Sequence, residues 1–348
     1  MPRRSAWSTC AELATGTLEE AAPYPEGRRL ICRPKFVPPH PTLSPAEGER
    51  VFTLNNVEYV VAILLPQLLH GLVFGAALGL LALGLTVIFG LLGVMNFAHG
   101  EFFMLGAYFG IVAIGLTQSF WVAVILAPLF VGGVGALLEI STLRPIYRRE
   151  PLYGLILTFG ISMAFREIVR EIWGGDMRRI LEPIGGAVPL LGMTYPRYRL
   201  FLLGASLLLL LAIWLFFTKT RAGIIVRAAV QDAEMLDGLG VNVPRVFTLT
   251  FAGSSALAAL AGLLLAPIFT VVPTMGVEMI LLAFIVVILG GMGSLGGSVL
   301  AALVIGEAQS LFSLWMNPQR VAIAIFAIMI FVLIVRPRGF FGREGVLE

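Results

Sequence analysis

Gly223-Ile-Ile-Val-Arg-Ala-Ala-Val-Gln-Asp-Ala-Glu-Met-Leu-Asp-Gly-Leu-Gly-Val-Asn-Val-Pro-Arg245 stands between two runs without a charged residue, 200–217 ahead of it and 247–277 behind it. Each run is long enough to cross a bilayer core of roughly 30 Å as a helix. Backbone in lipid must satisfy its own hydrogen bonds, so continuous apolar runs of this length form helices. A transmembrane barrel would show alternating segments of about ten residues, and these runs do not alternate. The intervening stretch is of another kind. From Gly223 to Leu239 its composition favours helix, Gly238 apart. Arg227, Asp232, Glu234 and Asp237 give it a polar side, and Ile224, Val226, Val230 and Leu236 an apolar one. Gly240 suits a helix stop, and Pro244 cannot continue the helix. The pattern is two spans joined by a short amphipathic helix.

The totals point the same way. Of 348 residues, 58% are hydrophobic and only 13% charged, against roughly 25% charged in soluble domains. The fold class is all-α: a polytopic helical membrane protein with eight to ten transmembrane helices, embedded in a lipid bilayer. The net charge of +3 belongs to basic cytoplasmic loops, and no basic cluster with interleaved aromatics speaks for nucleic acid. The 39 glycines predict close packing between spans. Cys10 and Cys32 both lie outside the apolar body, which therefore has no disulfide or thiolate metal site. His70 and His99 are too few for a histidine metal site, and no cofactor is expected.

Residues 1–50 stand apart, with eight of the twenty prolines and no membrane-length apolar run. They are expected to be disordered, or else not native, the reading frame opening further downstream, near Val51. They do not fit a signal peptide, since Arg3 and Arg4 are followed by no apolar stretch of the needed length. The body is 51–348. Between Glu58 and Glu101 there is no charge. As one helix, 60–95 would be about 54 Å long, so two passes are expected, or one pass and a re-entrant piece, bending near Gly75–Gly84. Spans follow at about 102–116, 121–140, 153–173, 200–217, 247–269, 279–289, 299–315 and 321–335.

Arg144, Arg148 and Arg149 place 141–152 inside, and Lys219, Arg221, Arg227 and Arg245 do the same for the loop at about 218–246. Arg166-Glu-Ile-Val-Arg-Glu171 is expected to snorkel to the outer surface, with Glu167 and Arg170 paired. The stretch 174–199 reads as an irregular outer loop. It carries four arginines, but the parity of the later spans puts it outside. The basic tail from Arg336 to Arg343 is inside.

Several chemistries are absent. Neither lysine, Lys35 nor Lys219, follows a glycine, so there is no phosphate-cradling Gly-Lys-Ser/Thr loop. A Gly-x-Ser-x-Gly elbow and a His-Glu-x-x-His helix are also missing. Two breaks between apolar runs stand out instead. Asn96-Phe-Ala-His-Gly-Glu101 puts an amide, an imidazole and a carboxylate within six residues. Such groups at membrane depth usually face an aqueous cavity or a partner; alternatively, His99 and Glu101 cap the next helix at the membrane surface. Gly290-Gly-Met-Gly-Ser-Leu-Gly-Gly297 reads either as a broken helix facing solute or as tight packing. Asn96, His99, Glu101, Gly291, Ser294 and Gly297 are the candidate pathway residues. The two breaks are expected to be equivalent elements of two internal halves that meet.

Arg227-Ala228, Gln231-Asp232, Met235, Leu239-Gly240-Val241-Asn242 and Arg245 resemble the coupling loop of the branched-chain amino acid permeases of ABC importers. The block from Gly93 to Ala107, the Leu289–Gly297 block, Leu143-Arg-Pro145 and the closing Arg336-Pro-x-Gly339 resemble the same family in the same order. Leu78 departs from it where tyrosine is common, as does Asp237-Gly238, where glycine costs about 1 kcal/mol of helix stability.

The resemblance implies a permease that is not an enzyme, in a bacterial cytoplasmic (inner) membrane. It implies a second, homologous permease, two cytoplasmic ATP-binding subunits and a periplasmic substrate-binding protein as partners. Arg227, Gln231, Asp232, Glu234, Gly240, Asn242 and Arg245 would then carry the contact with the ATPase. The solute would be a branched-chain amino acid, with urea, amides or another small solute as alternatives. A self-sufficient secondary transporter instead needs carboxylates within its spans, for which Glu139, Glu278 and Glu307 are the candidates. A membrane-embedded enzyme has no nucleophile, base or metal set at usable spacing.

Overall fold

The computed structural model describes residues 63–341, apart from 94, 148, 191 and 192. The expectations for residues 1–50 lie outside the described residues. Eleven α-helices are described: α1 (Leu65–Leu92), α2 (His99–Thr117), α3 (Phe120–Leu138), α4 (Pro151–Trp173), α5 (Arg197–Lys219), α6 (Arg221–Gln231), α7 (Ala233–Gly238), α8 (Val243–Leu265), α9 (Met275–Gly290), α10 (Leu295–Phe312) and α11 (Pro318–Val335). Among the described residues, eight helices are long and apolar enough to cross a membrane, and α9 is a shorter apolar helix. This is an all-α, multi-pass membrane protein.

The uncharged run expected to bend at Gly75–Gly84 does not bend there. It is one helix, α1, which stops at Gly93 in the left-handed conformation (φ 62°), with the Gly93 N–H on Phe89 O. Glycine leaves a helix intact when a neighbouring helix packs against the bare backbone, and α10 does so here. A Cβ at Gly75 would lie 2.8 Å from Ala302 O, and one at Gly71 would meet Glu307. Thr86 and Ser298 complete the seam with a 2.7 Å hydroxyl–hydroxyl hydrogen bond. Among the described residues the run is thus one long helix, with neither the second pass nor the re-entrant piece expected within 60–95, and Asn96, His99 and Glu101 beyond it lie back inside the bundle.

α6 fixes which ends of the helices lie together. It packs beside the last turns of α1 and α5 and the first turns of α8 and α10, where Val87, Phe217 and Val226 form a cluster with Val246 and Leu295. The C-terminal turn of α9 joins this end, because Phe340 N–H and Phe341 N–H donate to Leu289 O and Gly290 O. At the far end, Phe120 and Trp121 of α3 pack on Tyr198 and Phe201 at the start of α5. The far-end stretch expected to be irregular contains a two-stranded antiparallel hairpin, β1 (Ala187–Leu190) with β2 (Met193–Pro196). α3 runs on into a π turn, Glu139–Leu143, and a 3₁₀ turn, Arg144–Ile146.

Candidate functional site

The amphipathic stretch is two helices, not one. α6 starts at Arg221, capped by Thr220, whose Oγ1 accepts from Gly223 N at 3.0 Å. It ends at Asp232, where the backbone turns extended (φ −156°, ψ 96°) and Oδ1 accepts from Met235 N at 2.8 Å to cap α7. Asp, with its short acceptor side chain, offers the backbone this alternative to continuing the helix. After α7, Gly240 adopts φ 83°, and Asn242 caps α8 through Oδ1 to Arg245 N at 3.0 Å. Asp232 and Asn242 therefore also fix the path of the loop.

All seven residues expected on this surface, Arg227, Gln231, Asp232, Glu234, Gly240, Asn242 and Arg245, are exposed. Val226 and Leu236 are buried as expected, but Ile224 and Val230 are exposed. Met235 and Leu239, one turn apart, are 67% and 73% exposed. The underside of α6 is held tightly, since a Cβ at Gly223 would lie 2.5 Å from Phe217 Cα. α6 is thus packed directly against α1, α5, α8 and α10.

A buried polar network braces this loop from the side. Glu139, fully buried, accepts from Arg144 Nη2 at 3.1 Å, Tyr147 Oη at 2.7 Å and Thr248 Oγ1 at 2.7 Å. Arg144 also reaches Thr248 Oγ1 and Pro244 O on α8. Burial, then the hydrogen bond to Glu139 and its charge, push the Tyr147 phenol well above its usual range, so it remains the donor. Three donors thus meet the oxygens of one buried carboxyl group, which would be costly to bury unpaired.

The break at 96–101 lies inside the bundle. Asn96 is 2% exposed, and His99 and Glu101 are fully buried. α2 begins at His99, three residues earlier than the apolar run suggests. His99 Nε2 is 3.2 Å from Leu81 O, and a Cβ at Gly84 would meet both the His99 ring and Ser254 O, midway along α8. Opposite stands the start of α9, where a Cβ at Gly276 would be 2.7 Å from Glu101 Oε2 and from Gly100 O.

Two helices therefore begin back to back in the interior, each after a non-helical stretch, 95–98 and 266–274. α2 leads to the far end and α9 to the α6–α7 end. Their positive N-terminal ends favour the Glu101 carboxylate lying between them.

α4 supplies the rest of this site through Thr158, Ser162 and Arg166, spaced four apart on one stripe. Thr158 Oγ1 accepts from Phe97 N at 3.3 Å, and Ser162 Oγ donates to Glu101 Oε1 at 2.8 Å. Arg166 Nε lies 3.9 Å from Glu101 Oε1. Arg166 therefore turns inward where an outer-surface position was expected, because Glu101 is within reach; Glu167 and Arg170 do pair as expected, at 3.3 Å. The i, i+4, i+8 spacing of these three residues was the sequence signal for the stripe. Asn96 Oδ1 and Nδ2, His99 Nδ1 and Glu101 Oε2 are buried without a hydrogen-bond partner. Native interiors rarely leave such groups unmet, so this cluster suits bound water or a passing solute.

Gly291, Ser294 and Gly297 do not join this cluster. Their turn sits at the α6–α7 end, beside Gly90, about 9 Å along α1 from Gly84 at 1.5 Å per residue. Gly291 (φ 96°) and Gly293 (φ 81°) form the turn, and Ser294 Oγ caps α10 through Gly297 N at 3.2 Å. A Cβ at Gly290 would lie 2.5 Å from Ser298 N, and Gly339 (φ 73°) lies close to Ile288 O. This is tight packing, and the break that faces 96–101 is the start of α9 instead.

Residues 67–334 match the family model described as branched-chain amino acid transport system / permease component. The chain belongs to that family. It is 32% identical over 302 residues to the high-affinity branched-chain amino acid transport system permease protein LivH of Salmonella typhimurium strain LT2, covering 81% of this chain and 96% of that protein. To LivH of Escherichia coli strain K12 it is 30% identical over 299 residues, with the same coverage. The permease LivM of the same E. coli strain is 28% identical over 353 residues, covering 91% of this chain and 80% of LivM. No solved structure matches. The family is one of transport permeases.

Proposed function

We propose that the chain is the membrane subunit of an ABC importer for branched-chain amino acids, powered by separate ATP-binding subunits. The relatives are named for that solute class. The observation that carries the reading is the α6–α7 pair, which exposes Met235 and Leu239 among charged residues while its underside is rooted in four spans. A surface of this kind fits a cleft on a soluble ATPase and passes its motion to the membrane. By the positive-inside rule, Lys219, Arg221, Arg227 and Arg245 put this end in the cytoplasm, and the membrane is the bacterial inner membrane. The transmembrane permease body is 51–348.

A second, homologous permease completes the pathway, as the likeness to both LivH and LivM supports, and a periplasmic binding protein delivers the solute to the far end. The cluster at Asn96, His99 and Glu101 is the element of this subunit that rearranges as the pathway opens. An ion-coupled secondary transporter fits less well, because Glu139, one of its candidate carboxylates, is fully engaged by Arg144, Tyr147 and Thr248.

Purification from native membranes in mild detergent tests the assignment. ATP-binding subunits are expected to copurify, and reconstituted complex with its binding protein to hydrolyse ATP faster when leucine, isoleucine or valine is added. Uptake that continues without any ATPase partner contradicts it.

A further inference from the structure

A cleft of about 430 Å³ opens at the far end of the bundle, between α1, α5, the end of α8 and α10. Its size falls within the roughly 300–1,000 Å³ usual for small-molecule sites. One wall is apolar, formed by Val73, Phe74, Leu265, Ile268 and Phe269. The other is polar and carries Arg199 at the start of α5 with Gln67 and Gln309.

Two features of the polar wall call for a ligand. Arg199 has the neutral groups Tyr195 and His70 beside it but no carboxylate, being in none of the three ion pairs among the described residues. Gln309 Oε1 is buried with no donor to meet it. Close by, Glu307 Oε2 is also buried without a partner; Glu307 follows Gly306, which lines the cleft, and a Cβ at Gly71 would lie 2.5 Å from that oxygen.

We propose that this cleft is an entry site for a zwitterionic α-amino acid. Arg199 takes the carboxylate, Gln309 Oε1 accepts from the ammonium, and the apolar wall receives the side chain. The planar guanidinium fork matches a carboxylate in two parallel hydrogen bonds. A branched aliphatic side chain gains by leaving water for the wall of Val73, Leu265 and Ile268. Urea and simple amides offer Arg199 no anion, so the cleft distinguishes them from amino acids. The site deepens the import function proposed above and rests on it.

Thiol protection on the reconstituted complex tests the site. In a Cys10→Ser, Cys32→Ser background, Ser313→Cys places a thiol on the exposed rim of the cleft, and Thr194→Cys in β2 serves as an exposed control. Leucine should slow modification at position 313 by a membrane-impermeant thiol reagent but leave position 194 unchanged. Leucinamide, which lacks the carboxylate, should not protect. A hydrogen bond to a charged group is worth about 1.5–3 kcal/mol, so Arg199→Ala should raise the leucine concentration for half-protection about ten-fold or more.

Equal protection by leucine and leucinamide overturns the site, as does absence of protection while leucine uptake proceeds. Absence of leucine uptake in the unsubstituted complex contradicts the import function itself. The leucine–leucinamide comparison keeps Arg199 in place, so it decides the matter even if Arg199→Ala fails to insert.

Discussion

Ser162 of α4 donates its hydroxyl hydrogen to Glu101 Oε1 of α2 at 2.8 Å. Glu101 is fully buried, and the charged Arg166 is 3.9 Å away. Ser162→Ala removes the one short hydrogen bond to this carboxylate, leaving a desolvated acceptor at a cost of about 1–3 kcal/mol. The midpoint of thermal unfolding in detergent should fall. Ser162→Thr, which keeps the hydroxyl, should restore most of it. An unchanged midpoint for Ser162→Ala would show that Glu101 is met by other groups.

Arg144→Met should destabilise more than removing a surface charge does. Glu139 would keep only Tyr147 and Thr248 as donors. Breaking a buried pair on one side costs about 3–5 kcal/mol, discounted here to roughly 2 kcal/mol because the Arg144 side chain is 37% exposed. Thermal unfolding followed by size-exclusion chromatography reads the effect. Proteolysis near Pro244 should also accelerate, since Arg144 ties that turn to α3.

Gly262→Ala and Gly115→Ala should differ in sign. A Cβ at Gly262 would fall on the Phe103 carbonyl oxygen, whereas one at Gly115 meets nothing within 4 Å. Overpacking of backbone against backbone costs about 1–3 kcal/mol, while alanine for glycine on an open helix face gains up to about 1 kcal/mol. The same unfolding assay measures both. Equal effects would mean that α2 and α8 are not packed this closely.

Asp232→Asn should preserve uptake and Asp232→Ala should reduce it. The side chain caps α7 through Met235 N, a role that asparagine fills as well and whose loss costs about 1 kcal/mol. Radiolabelled leucine uptake in cells with matched membrane levels of each variant provides the measurement. Equal loss in both variants would assign Asp232 a role as a charge instead of a cap.

The spans were legible because lipid leaves the backbone few choices, and long uncharged runs such as 200–217 mark them directly. Three features were not. The glycines of α1 look like a bend until α10 is seen to lie against them, and that contact is between residues more than 200 positions apart. Asp232 looks like a surface charge within one helix, whereas its short acceptor ends α6 and caps α7. The 96–101 break reads as polar, but in sequence the glycine-rich turn at 290–297 looks like its companion. The true companion, Gly276, has no polar signature, only the small size that lets the ends of two helices meet. Thr158, Ser162 and Arg166 were readable as a stripe, but nothing in their own segment says what they face.

Replacing both Met235 and Leu239 with aspartate addresses the central claim most directly, because both side chains are largely exposed. With thermal stability and membrane level unchanged, the account predicts that ATP-binding subunits no longer copurify and that leucine uptake falls to background. Retained copurification with undiminished uptake would contradict it.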